Sequence, residues 1–150
     1  MRIESFLAAR VEPGEGGFAC WGGLIRIDAK ISWAFADCVG RAPRFAVPDA
    51  QYVGSIAILK RLRDLRAQNP EGSLTMLTDS RRLVEELRGE WRQSQRGSSA
   101  ILDAGIELNR SLAPLTLRYC SRSANSEAHA LITLLCRRHG VPVRERTVRQ

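Results

Sequence analysis

The sequence predicts an α/β domain: a five-stranded mixed sheet, made of a three-strand antiparallel meander plus two strands joined through helices, with helices on both faces. Three observations carry this. Three extended apolar segments open the chain with connections too short to cross over, so they must pair antiparallel. In Ser73 to Trp91 the apolar run Leu74, Met76 and Leu77 closes on Thr78-Asp79-Ser80, and Leu83, Val84 and Leu87 then recur at helical spacing, so a buried strand turns directly into a helix. After Trp91, helical and strand patterns alternate, which joins the remaining strands through helices.

In order, Ile3 to Val11 and Phe18 to Ile27 read as strands separated by the turn cluster 12–17, and Ile31 to Val39 follows after Asp28-Ala29-Lys30. Trp21, Trp33 and Phe35 are expected to be facing or core aromatics. Gly40 to Pro48 is a loop. From Asp49, placed to cap, Tyr52, Ile56, Leu59, Leu62 and Leu65 predict a helix ended by Asn69-Pro70-Glu71-Gly72. Lys60, Arg61, Arg63 and Arg66 take its remaining faces and read as a solvated surface. Residues 92–99 are polar and basic, an exposed loop. A helix over Ala100 to Leu112 on Ile101, Leu102, Ile106 and Leu108 stops at Pro114, and Leu115 to Cys120 alternates as a strand. Arg122 to Asn125 is a loop, and Ser126 to Arg138 is a final helix on Ala128, Leu131, Leu134 and Leu135, stopped by Gly140. Residues 1–140 are expected to form one domain and 141–150 a basic tail.

The 150 residues are enough to bury about two-thirds of the unfolded surface without a metal or disulfide. Cys20, Cys38, Cys120 and Cys136 lie far apart inside apolar segments with no Cys-x-x-Cys pair, which predicts ordinary core thiols in a reduced, cytoplasmic protein. No apolar run approaches the ~20 residues of a membrane span, and no signal peptide is expected before Met1-Arg2-Ile3-Glu4. The net charge of +7 comes almost wholly from arginine, Lys30 and Lys60 being the only lysines. Arginine's planar fork donates two hydrogen bonds to a phosphate, so nucleic-acid contact is expected, although a GC-rich genome produces the same bias.

Asp79 stands at the carboxyl end of the central strand, where open α/β sheets place their chemistry. The plainer alternative is that Asp79 or Ser80 caps the helix that follows.

With these elements in order, four local motifs carry a resemblance. Pro13-Gly14-Glu15-Gly16-Gly17-Phe18-Ala19 is similar to the Asn-Pro-Gly-x-x-Gly hairpin turn of the ribonuclease H family. Ala50-Gln51-Tyr52 is similar to its helix opening, and Thr78-Asp79-Ser80 with Gly89-Glu90-Trp91 to its central strand and helix. Arg122-Ser123-Ala124-Asn125, continued by Ala128-His129-Ala130-Leu131, resembles its closing Arg-x-x-Asn-x-x-Ala-Asp-x-Leu. The resemblance runs from about Ile3 to Arg138 and implies a ribonuclease H-like fold.

It also implies a site. Family enzymes cut the RNA strand of an RNA/DNA hybrid with two divalent metals on clustered carboxylates, because paired ions about 3.5–4 Å apart need several anionic oxygens. Carried over, Asp79 matches a family Asp and is the one candidate metal ligand of that set. Gln51 stands where the helix Glu is expected. Phe6, or Ala8 if the loop is shorter, stands where the first-strand Asp is expected. His129 stands where the last Asp is expected, a replacement that some members of the wider family carry. Candidate substitutes are Glu4 and Asp49, each two residues from an expected position. The candidate catalytic set is therefore Asp79, Gln51 and His129, with His129 read alternatively as an ordinary histidine near a helix N-terminus. His139 reads as a surface residue at a helix C-terminus. Arg81, Arg82, Arg122, Arg137 and Arg138 are the phosphate-contact candidates, each with a solvated-surface alternative.

Three readings follow. The first is a ribonuclease H-like protein that binds an RNA/DNA hybrid or structured RNA with lost or much reduced hydrolysis. The second is an active metal-dependent ribonuclease H-type endonuclease with a rebuilt site. The third is a protein-interaction module on the same fold, with a protein partner or homo-oligomer. No resident cofactor is expected, Mg²⁺ or Mn²⁺ serving only if the site is active, and no membrane partner. A lone Asp79 is expected to titrate near an ordinary Asp value.

Overall fold

The structure, a computed structural model, describes residues 1–13, 16–90 and 99–140. The strands are β1 (Arg2–Glu12), β2 (Phe18–Ile27), β3 (Lys30–Arg41), β4 (Ser73–Thr78) and β5 (Leu115–Tyr119). The helices are α1 (Val47–Gln68), α2 (Arg81–Leu87), α3 (Ala100–Ser111) and α4 (Ser126–Arg138). The sheet order is β3-β2-β1-β4-β5, with β1, β2 and β3 antiparallel neighbours and β4 parallel to both β1 and β5. The meander and the helix-joined strands are therefore as the sequence predicts. Residues 14–15, 91–98 and 141–150 lie outside the described residues, and with them part of the expected turn cluster 12–17, most of the expected loop 92–99 and the expected tail; Ser99 caps α3 through its hydroxyl.

Period-two alternation divides β1 between two cores. Ile3 and Leu7 join Ile25, Ile58, Leu59, Leu62, Leu83 and Leu87 in the larger one, beneath α1, α2 and α3. Ala8 joins Cys20, Leu24, Ala128, Ile132 and Cys136 in the smaller one, beneath α4, with Phe6 packed against it. Each fully buried Leu or Ile contributes about 1.5–3 kcal/mol of transfer free energy. Gly22 on β2 lets α4 come close: a Cβ there would lie 2.4 Å from the carbonyl oxygen of Ala128. Among the described residues no helix is long and apolar enough to cross a membrane.

Several facing assignments change. Phe35 is 49 % exposed and Cys38 is exposed, because β3 is an edge strand with no neighbour beyond it. Phe35 still stacks on Trp33, ring centroids 6.2 Å apart. On α4 the buried stripe is Ala128, Ile132 and Cys136, four residues apart, and Leu134 falls on the opposite side and is 59 % exposed. Ile101 is likewise exposed, α3 packing through Leu102 and Leu108 instead. On α1, Ile58 is buried where Ile56 was expected to be. That helix starts two residues before Asp49, whose carboxylate accepts the Ala46 N–H at 2.7 Å.

Candidate functional site around Asp79

Ser80, not Asp79, caps α2: its hydroxyl accepts the Leu83 N–H at 3.2 Å. The Asp79 carboxylate is left to face α4. Its Oδ1 accepts from Asn125 Nδ2 at 3.0 Å and its Oδ2 from His129 Nε2 at 2.9 Å. Asn125 and His129 are four residues apart and so share one face of the first turn of α4. Nδ2 of Asn125 also donates to the Leu7 carbonyl at 2.7 Å, which ties α4 to β1 and β4 at one point. Asn125 and His129 are both buried.

Burial works to raise the pKa of Asp79, but the hydrogen bond and charge of His129, then the Asn125 amide, outweigh it and hold the carboxyl below its usual 3.8. The expectation of an ordinary value is thereby corrected; the reason is that hydrogen-bond donors, rather than solvent, surround the lone carboxylate. A lowered folded-state pKa contributes stability above about pH 3.8 that is lost as pH falls through the folded value.

The strand beside Asp79 offers it no second acid. Leu7 pairs with Thr78, so the next step sets Ala8 level with Asp79, and Phe6 lies two residues, about 6–7 Å, back along β1. Both pack under α4. Glu4 pairs with Thr75, about 13 Å from the Asp79 level, and holds Arg2 at 3.3 Å. Asp49 is occupied at the start of α1. Gln51 lies half-buried at the start of the second turn of that helix, and among the described residues no hydrogen bond joins its amide to Asp79 or His129. The structure thus joins Asp79 and His129 by a hydrogen bond, sets Glu4 about four residues back along β1 and engages Asp49 at the start of α1.

Two of the arginines flank this point. Arg81 opens α2 with its guanidinium 4.4 Å from the ring centroid of Tyr119, at the end of β5. Tyr119 is 45 % exposed and was not anticipated as part of a surface; only the pairing of β5 with β4 reveals it. Arg122 is exposed in the loop before α4. Arg82 lies 3.8 Å from Glu86, a buried carboxyl on the same helix that is hydrogen-bonded by the Tyr52 hydroxyl of α1. Arg137 and Arg138 are exposed in the last turn of α4, about 12 Å farther along its axis than His129. His139 caps the same end.

No family model matches the sequence, and no curated protein matches it. The likeness is in three dimensions. RNase H1 from the halophilic archaeon Halobacterium salinarum is 22% identical with a TM-score of 0.70, over 87% of this chain and 94% of that one. The chain has the ribonuclease H fold. The N-terminal RNase H domain of rv2228c from Mycobacterium tuberculosis is 22% identical with a TM-score of 0.64, over 87% and 95% of the two chains. LC11-RNase H1, isolated from compost by a metagenomic approach and solved in complex with an RNA/DNA hybrid, is 18% identical with a TM-score of 0.63, over 87% and 91%.

On this ribonuclease H fold the residues around Asp79 do not fit a pair of divalent cations. Two hard ions need several anionic oxygens to offset their mutual repulsion. Here one carboxylate meets a carboxamide and an imidazole, and among the described residues no three His, Cys, Asp or Glu side chains gather as a metal site. Ligand stabilisation grows as RT ln(1 + [L]/Kd), so ~5 mM Mg²⁺ is expected to leave the melting temperature unchanged. Mn²⁺, better suited to imidazole, is expected to change it only slightly through Asp79 and His129. Differential scanning fluorimetry checks both.

Proposed function

We propose that the chain binds an RNA/DNA hybrid or structured RNA on the ribonuclease H fold, with hydrolysis lost or much reduced. One observation carries this reading: both oxygens of Asp79 are engaged by Asn125 and His129, while the neighbouring positions of β1 are the apolar Phe6 and Ala8. A carboxylate so held organises α4 against the sheet. Among the described residues it has no cluster of acids with which to hold and space two metals.

Binding would rest on phosphate contacts, since a net charge of +7 carried by arginine suits an A-form backbone read by shape. Arg81, two residues after Asp79 and braced against Tyr119, and the exposed Arg122, three residues before Asn125, would contact phosphates first. Arg82, held by Glu86, and the more distant Arg137 and Arg138 would contribute less. In a titration of labelled hybrid at several salt concentrations, log K should fall linearly with log [salt]. Arg81→Ala and Arg122→Ala should each weaken binding and reduce the slope by about one. A slope of zero with hybrid, double-stranded RNA and DNA would remove the proposal.

A further inference from the structure

Three of the four cysteines converge near the far end of α4 from Asp79. Cys20 on β2 and Cys38 on β3 are directly opposite in the antiparallel register, with their sulfur atoms 2.7 Å apart. Cys136 of α4 shares the smaller core with Cys20. Cys20 and Cys136 are buried, whereas Cys38 is exposed. An open cavity of about 400 Å³, lined by Cys38 and Cys136 with Phe18, Asp37, Leu135 and His139, leads to the group from solvent.

We propose that Cys20 and Cys38 form an oxidative modification site, joined into a cross-strand disulfide by a hydroperoxide that enters through this cavity. Facing residues of an antiparallel pair have Cα atoms about 4.5–5.5 Å apart, inside the span of about 4.4–6.8 Å that a disulfide bridges. The two sulfurs already touch, so bond formation needs a change of side-chain torsion rather than of backbone.

Exposure sets the order of events. The Cys38 thiolate attacks one oxygen of the hydroperoxide; the O–O bond breaks, Cys38 becomes a sulfenic acid, and the departing oxygen leaves as an alcohol or water after taking a proton. Cys20 then attacks the Cys38 sulfur, the S–S bond forms, the S–O bond breaks, and the hydroxyl leaves as water with the Cys20 proton. Two thiols have given two electrons to one peroxide. Burial, followed by the hydrogen bond and charge of Cys38, pushes the Cys20 pKa well above that of an ordinary thiol, so Cys20 stays protonated and leaves the peroxide to the exposed Cys38; contact with the Cys38 sulfur then brings it into the second step, where its proton goes to the leaving hydroxyl.

The test exposes the full chain briefly to hydrogen peroxide, removes the oxidant with catalase, alkylates in denaturant and maps peptides without reduction. The expected result is a linked pair of peptides containing Cys20 and Cys38, two fewer alkylated thiols, and reversal by dithiothreitol. Cys38→Ser should abolish the link. Cys20→Ser should instead leave a sulfenic acid at position 38 that dimedone captures, and Cys136→Ser should keep the link. Cys38 recovered unmodified, a link made through Cys120 or Cys136, or a link between two molecules would each overturn the proposal.

Discussion

Replacing Glu86 with glutamine is expected to stabilise the chain by roughly 3 kcal/mol at pH 8 and to change little below pH 4.5. The carboxyl is 1 % exposed, and burial raises its pKa from 4.5 to about 7 against the opposing charge of Arg82. A raised carboxyl pKa means that the folded chain prefers the protonated form. Its stability is fully present below the unfolded value of 4.5, declines as pH rises, and has lost the whole increment above about 7. Glutamine keeps the shape and an acceptor for the Tyr52 hydroxyl but cannot ionise. Urea midpoints for both proteins from pH 4 to 8 check this, since other titrating groups cancel in the difference. Parallel curves through that window would show that Glu86 ionises without cost.

Gly22→Ala is expected to destabilise by about 3 kcal/mol, at the upper end of ordinary overpacking. The new methyl would lie 2.4 Å from the Ala128 carbonyl oxygen and 3.2 Å from Ile132 Cγ1. The first of these is backbone inside α4, so relief requires moving the helix rather than rotating a side chain. That movement would also lengthen the bonds from Asn125 and His129 to Asp79, which α4 carries. A denaturant titration gives the loss of stability, and the His129 ring resonances give the displacement. An unchanged midpoint would mean that α4 sits farther from β2 than the structure has it.

The order of elements and the position of Asp79 were legible because both are written locally, in apolar periodicity and in a strand that closes on Thr78-Asp79-Ser80. What the sequence withheld depends on distances between elements. Glu86 follows Glu85 on a short helix with nothing local to mark it as buried; its burial comes from α1, which places Tyr52 against it. Cys38 and Phe35 read as interior until the sheet order leaves β3 at the edge. Asn125 had a signal, its spacing of four residues from His129, but its bridge from Leu7 to Asp79 exists only because Gly22 admits α4 so closely. The contact of Cys20 with Cys38 depends on a register shift between Ala19 and Cys20 that no local pattern announces.

Under the proposed function Asp79, held by Asn125 and His129, is a structural carboxylate that does not serve hydrolysis of nucleic acid. End-labelled RNA/DNA hybrid, incubated with wild-type protein and with Asp79→Asn in Mg²⁺ and separately in Mn²⁺, tests it on a denaturing gel. The account predicts that neither protein cleaves above background with either metal. Cleavage by the wild type that Asp79→Asn abolishes would contradict it and make the chain a working nuclease with a rebuilt site.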